Sequence, residues 1–169
     1  MKVLVVVDMQ NDFIDGALGT KEAVSIVPNV IEKIKKYENN NDLIVYTKDT
    51  HFENYLETNE GKNLPVPHCI KGTTGHDIPS EILRDNNIIF EKLTFGSKEL
   101  IDFLKTKTFD EVELLGLCTD ICVISNALLI KAYFPEIRIK IDSKCCAGVT
   151  VKSHEEALNT MRMCQIIIE

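Results

Sequence analysis

The sequence predicts a doubly wound α/β domain built on a mostly parallel sheet, and three observations carry that prediction. Short apolar, β-branched runs recur along the chain, segments with helical periodicity separate them, and the runs are apolar throughout rather than alternating. Parallel strands need crossover connections, right-handed crossovers place helices on both faces, and strands covered on both faces read as continuous hydrophobic runs.

The first run is "KVLVVV", Lys2 to Val7. Pro28 then opens "PNVIEKIKKYEN", in which Val30, Ile31, Ile34 and Tyr37 share one helical face. A second strand covers Leu43 to Thr47. Lys48 to Pro79 follows as an irregular stretch holding Gly61, Pro65, Pro67, Gly72 and Gly75. A long loop of this kind inside a compact domain is usually functional. Ile88 to Glu91 is the third strand, and Ser97 precedes "KELIDFLK", with Leu100, Ile101 and Leu104 on one face. Val112 to Leu117 is the fourth strand, leading through "CTDIC" into a helix marked by Val123, Ala127 and Ile130. Ile137 to Ile141 is the fifth strand. Ser153 with Glu156 reads as a capping box before Ala157, Leu158 and Met161, and Gln165 to Ile168 is the sixth strand.

One core suits this length. With 169 residues, 44% of them hydrophobic, residues 1–169 are expected to form a single domain. The net charge of −7 and the lack of a Lys/Arg stripe argue against nucleic acid or an anionic membrane surface as partner. The "VLVVV" run is far shorter than a signal-peptide core, and no stretch approaches the ~20 apolar residues that span a bilayer, so a cytoplasmic protein is expected. The six cysteines, Cys69, Cys118, Cys122, Cys145, Cys146 and Cys164, follow neither a zinc-ribbon nor a disulfide-scaffold spacing and are expected as thiols, mostly in the core.

In doubly wound sheets, ligands collect beyond the carboxyl ends of the strands. The residues just past the first four strands are Asp8; Asp49 and His51; Lys92; and the "CTDIC" turn. A cysteine at the start of a helix has its thiolate favoured by the helix dipole and by free backbone N–H groups, and Cys122 fits that position, with Thr119 or Asp120 as the cap. Cys118, at the strand end, is read as a backbone contributor. Asp8 can take a proton from the thiol while Lys92 tunes it. The Asp49-x-His51 pair, with Glu57, Glu60 and His68 downstream, offers oxygen and imidazole donors suited to a divalent transition metal: zinc, manganese or iron. A lone D-x-H is more often an ordinary polar turn, and His76 and His154 are read as surface residues.

The segments "VVVDMQNDF", "DTH", "HCIKGTTG", "FEKLTF" and "LLGLCTDICVISNA" together resemble the isochorismatase-like cysteine hydrolases, most closely their nicotinamidase branch. The resemblance covers nearly the whole chain in order. It implies a Rossmann-like, three-layer fold with a six-stranded parallel sheet, a catalytic set of Asp8, Lys92 and Cys122, and a cis peptide before Cys118 that turns the Cys118 and Cys122 N–H groups into an oxyanion hole. It implies a divalent metal, zinc first, on Asp49, His51 and His68, with Glu60 or Glu57 as fourth ligand. It implies a dimer or tetramer, and hydrolysis of a small amide, nicotinamide to nicotinate and ammonia. The tryptophan that many members place before the last metal histidine is absent, since the chain has no Trp. Stacking on a pyridine ring then falls to Phe13 and Phe95.

Three other readings compete. A hydrolase of another small amide, or of an isochorismatase-type substrate, would share the sheet and differ in its pocket. A phosphoryl-handling domain would need a second carboxylate where Gln10 stands. A non-enzymatic binding domain would have no need of Asp8, Lys92 and Cys122 together.

Overall fold

The computed structural model describes residues 1–85 and 87–169. Six strands, β1 (Lys2–Val7), β2 (Leu43–Asp49), β3 (Ile89–Lys92), β4 (Glu111–Leu117), β5 (Arg138–Ala147) and β6 (Ile167–Ile168), form one sheet in the order β3-β2-β1-β4-β5-β6. Every pairing is parallel, as the uniformly apolar strands predict. Val3 to Val7 are fully buried because β1 lies mid-sheet with helices above and below.

The helices are α1 (Asn11–Ile14), α2 (Lys21–Asn39), α3 (Asn59–Asn63), α4 (Lys98–Leu104), α5 (Ile124–Tyr133) and α6 (Val151–Met163). Right-handed crossovers put α2 on one face and α4, α5 and α6 on the other. No helix among the described residues is long and apolar enough to cross a membrane.

Four local expectations shift. Helix α2 begins at Lys21, not Pro28, because Thr20 caps it by accepting the Ala23 N–H at 3.0 Å, and Ala23 and Ile26 extend the buried face. Pro28 therefore sits inside the helix. Helix α6 is capped three residues earlier than read: Thr150 accepts from the Ser153 N–H, and the Ser153 hydroxyl accepts from the Thr150 N–H, in a reciprocal box. Strand β5 continues past Ile141 to Ala147, because a bulge lets the run from Ile141 to Cys146 pair alongside Leu114 to Gly116, and Asp142 meets Lys33 at 2.7 Å. The stretch from Lys48 to Pro79 is not structureless, for α3 and one-turn helices at Tyr55–Glu57 and Thr74–His76 lie within it.

The strand order reverses at β1, whose neighbours are β2 and β4. Connections leaving β1 and β4 part to opposite sides there, opening a crevice at the carboxyl ends of the strands. Gly116 allows the two strands to close on each other: its φ is +121°, and a Cβ at that position would collide with the Val7 carbonyl oxygen.

Candidate active site

Asp8 is the first residue past β1 and adopts φ +47°, a left-handed conformation that turns its side chain beneath the crevice. Thr47, in register with Val7 on β2, fixes it. The Thr47 hydroxyl donates to Asp8 Oδ1 at 2.6 Å, and the Asp8 N–H donates to the Thr47 carbonyl at 3.2 Å. The other carboxylate oxygen, Oδ2, lies 2.6 Å from Lys92 Nζ at the end of β3, off the direction of a good hydrogen bond. Among the described residues it is the one fully buried side-chain oxygen or nitrogen left without a hydrogen bond.

Lys92 is 2% exposed, and its ammonium reaches Asp49 Oδ1 at 3.3 Å and Cys122 Sγ at 3.4 Å. Burial opposes its charge, yet Asp8, the thiol and Asp49 around it hold its pKa above the ordinary lysine range. Burial likewise pushes the Asp8 carboxyl upward while Lys92 pulls it back. The Cys122 thiol is raised well above its usual value, by burial first and then by Asp8, with Lys92 opposing. Cys122 thus has a buried carboxyl and a buried ammonium as its charged neighbours.

The thiol does not sit at a side-chain-capped helix start. Cys118 is the N-cap of a π-helical turn, Thr119–Val123, that runs into α5, and no side chain caps it. Thr119 instead pairs its hydroxyl with His154 Nδ1 at 2.7 Å, and the Asp120 carboxylate accepts the Val149 N–H at 3.1 Å. Both side chains thus tie the turn to the start of α6. The Leu117–Cys118 peptide is cis. Asn126, in the first turn of α5, donates to the carbonyls of Cys122 (2.8 Å) and Phe95 (3.0 Å) and accepts the Ser97 N–H.

Beside this set the β2–β3 connection gathers Asp49, His51, Glu60 and His68, each offering one ligand atom, all within 4.8 Å of one another. His51 Nε2 lies 3.0 Å from Asp49 Oδ2 and 3.5 Å from Glu60 Oε1. His68 Nε2 lies 3.5 and 3.7 Å from the same two oxygens. Donors placed tetrahedrally about an ion at ~2.0–2.2 Å stand ~3.3–3.6 Å apart, so the separations suit a divalent cation. His68 Nδ1 donates to the Val66 carbonyl at 2.8 Å, which leaves Nε2 with its lone pair facing the cluster. Burial alone would lower the His51 pKa, but Asp49 and Glu60 raise it to about 9, a sign of how strongly the pocket favours positive charge. Glu57, the other acid read from this loop, is exposed and outside the cluster.

Local bonding explains how one loop brings these donors together. Gln10 is fully buried; its amide accepts the Asp49 N–H at 2.7 Å and donates to the Asp49 and His76 carbonyls at 2.9 Å. Asp12 accepts the Cys69 N–H at 2.7 Å and steadies Cys69 in a left-handed turn next to His68. His51 then pairs with Ile70 as an isolated parallel bridge. Tyr55 packs edge-on against His51 and His68, with ring centroids 4.7 and 5.1 Å away. Sequence reading missed Thr47, Gln10, Asp12 and Asn126. Their one signal is a polar residue inside an otherwise apolar or turn motif. His76 and His154 are not surface residues: His76 is buried against the Thr50 hydroxyl at 2.9 Å, and His154 is half-buried on Thr119.

A cavity of about 750 Å³ opens over both groups. Cys118, Cys122 and the four clustered donors line it, whereas Asp8 and Lys92 lie behind the thiol, off its wall. Phe13, buried and 5.4 Å from the His68 ring, forms part of the inner wall; Phe95, 41% exposed, stands at the rim.

An isochorismatase domain model matches residues 2–169. The chain belongs to the isochorismatase family. An isochorismatase family protein of Bacillus subtilis (strain 168), PncA, is 30% identical over 172 residues, covering 94% of this chain and 92% of its own length. The pyrazinamidase of Pyrococcus horikoshii, solved in complex with zinc, superposes with a TM-score of 0.88 at 30% identity, covering 99% of this chain and 98% of that one. The pyrazinamidase/nicotinamidase of Streptococcus mutans UA159 superposes with a TM-score of 0.87 at 29% identity over the full length of both chains. Membership in the isochorismatase family accords with the order of motifs in the sequence, and the six-stranded parallel sheet is the fold it implied.

Proposed function

We propose that this chain is a cysteine-dependent carboxamide hydrolase that converts nicotinamide to nicotinate and ammonia. The observation that carries the reading is the buried contact of Asp8, Lys92 and Cys122, with only the thiol facing a cavity that also holds four metal-type donors. Relatives named pyrazinamidase and nicotinamidase over nearly the whole chain support the same chemistry.

Asp8 Oδ2 accepts the Cys122 proton as sulfur bonds to the amide carbon, and the carbonyl electron pair moves onto oxygen. The N–H groups of Cys118 and Cys122 hold that oxyanion. Lys92 keeps its charge throughout and offsets the negative charge that passes between thiolate and carboxylate. The tetrahedral adduct collapses by breaking the C–N bond, and Asp8 returns its proton to the departing nitrogen, releasing ammonia and leaving a thioester. Asp8 next takes a proton from water as the water oxygen bonds to the acyl carbon. Loss of the C–S bond, with Asp8 passing that proton to sulfur, releases the acid and restores both the thiol and the carboxylate. Asp49, His51, Glu60 and His68 would hold a divalent ion which, when bound, supplies a positive centre that accepts a ligand atom. Phe13 flanks His68 and offers a flat face to a pyridine ring.

Ammonia release from nicotinamide by metal-loaded protein tests the reading. Cys122→Ala is expected to abolish turnover, and Cys118→Ala to retain much of it, because only the backbone of residue 118 is asked to act. Wild-type turnover in Cys122→Ala would remove the thiol from the mechanism.

A further inference from the structure

The cavity is larger and more apolar than a lone pyridine carboxamide requires. Pockets of ~300–1,000 Å³ usually enclose drug-sized ligands, and about 750 Å³ falls well inside that range. Beyond the thiol and the metal-type donors, the wall mixes polar side chains, Thr58, Asn59, Asn63 and Thr94 among them, with an apolar group of Leu64, Leu93, Phe95, Ile121 and Val149. Four of these are solvent-exposed apolar side chains: Leu93 at 68%, Val149 at 52%, Phe95 at 41% and Leu64 at 36%. Apolar area of this kind, continuous with a reactive thiol, gains free energy from any hydrophobic group that covers it.

Hydrogen bonds fix two sides of this outer chamber to the catalytic turn. The Phe95 carbonyl accepts from Asn126, which also holds the Cys122 carbonyl. The Val149 N–H donates to Asp120, two residues before the thiol. The chamber is therefore preformed, and filling it costs little ordering of the protein. With no tryptophan in the chain, no indole occupies the space.

We infer that the substrate class is aryl carboxamides that carry an apolar substituent on the ring edge remote from the amide, with the substituent seated among Leu64, Leu93, Phe95 and Val149. This rests on the reading of the site as a carboxamide hydrolase. When the amide carbon of a nicotinamide ring faces Cys122 and the ring nitrogen faces the metal-type donors, the 5-position is equally remote from both. An alkyl group there enters the outer chamber.

Steady-state kinetics of the metal-loaded enzyme with nicotinamide, 5-propylnicotinamide and 5-(2-hydroxyethyl)nicotinamide test this. The propyl compound is expected to exceed nicotinamide in kcat/KM by roughly tenfold, at the low end of what added methylenes gain in an apolar pocket because the chamber is open to water on one side. The hydroxyethyl compound should show no such gain. Leu93→Ser should reduce the propyl-to-nicotinamide ratio several-fold. A propyl compound no better than nicotinamide, or a hydroxyethyl compound equally favoured, overturns the inference and leaves the hydrolase reading standing. Failure of all three compounds to release ammonia overturns both.

Discussion

Replacing Lys92 by methionine removes the cation that lies between Asp8 and Cys122 while keeping most of the side-chain volume. Lys92 is 2% exposed, Asp8 is fully buried, and Asp8 Oδ2 lies 2.6 Å from the ammonium with no hydrogen bond of its own. The variant therefore leaves a carboxylate buried without a counter-charge. Breaking a buried ion pair from one side typically costs about 3–5 kcal/mol. For a chain of this size, that lowers the unfolding temperature by roughly 6–20 °C. Urea unfolding of chelator-treated protein at pH 7 measures the loss without an ion at Asp49 to mask it. A packing defect would give a similar number, so the pairing is isolated by a cycle: Lys92→Met, Asp8→Asn and the double variant. Because the double variant also removes the Asp8 charge, while Asp49 keeps His51 beside it, that variant should regain at least half of what Lys92→Met loses. Turnover should fall at least ~100-fold in all three, since each disables the proton acceptor or its partner. A Lys92→Met protein within about 1 kcal/mol of wild type, or a double variant showing simple additivity, would refute the account of Asp8 and Lys92 as a charge pair.

Purified protein should take up about one divalent ion per chain, and His51→Ala or His68→Ala should weaken uptake at least ~10-fold, as read by elemental analysis after dialysis; a wild-type chain that takes up none would return the four donors to a structural role. Phe13→Ala should raise KM for nicotinamide about tenfold while lowering kcat less, because it removes ring contact rather than chemistry; an unchanged KM would place the ring elsewhere. Stability should decline above about pH 9. Burial pushes the Cys145 thiol up to about 12 and raises Cys146 as well, so the unfolded chain loses those protons first, and stability present below the ordinary thiol pKa is lost as pH rises through it. Each such thiol contributes about 1.4 kcal/mol per pH unit in that range, and Cys146→Ala should flatten the urea-midpoint curve between pH 9 and 10 by that amount; parallel curves would contradict it.

The sheet was legible because its signal is local. Each strand is an apolar run, and each run either stands on its own or does not, so five of the six strands lie within two residues of their expected starts and ends. The exceptions trace to information a run of residues does not contain. Strand β5 outlasts its apolar run because Asp142 finds Lys33 on α2, far away in the chain. Pro28 looks like a helix start, yet Thr20 and the buried face of Ala23 and Ile26 outweigh the one hydrogen bond that a mid-helix proline forfeits. The turns between Lys48 and Pro79 carry no period at all, since they are held by Tyr55, Asp12 and Gln10 reaching across the loop.

The site was legible for a different reason: topology alone aligns the strand ends. Once β1, β2, β3 and β4 are parallel neighbours, Asp8, Asp49, Lys92 and the "CTDIC" turn must lie along one edge, whatever the loops do. What topology does not specify is depth. It placed Asp8 and Lys92 on a rim, whereas both are buried behind Cys122 and only the thiol meets the cavity. Depth sets the electrostatics: on an open rim Lys92 would be solvated, but in the interior the Asp8 carboxyl, the Lys92 ammonium and the Cys122 thiol lie in a medium that strengthens each charge. That placement comes from Thr47 and the left-handed turn at Asp8, which fold the carboxylate under the sheet edge. Thr47→Val keeps the volume and removes the hydroxyl that holds Asp8, so comparing its turnover with that of Asp8→Asn separates the presence of the carboxylate from its position.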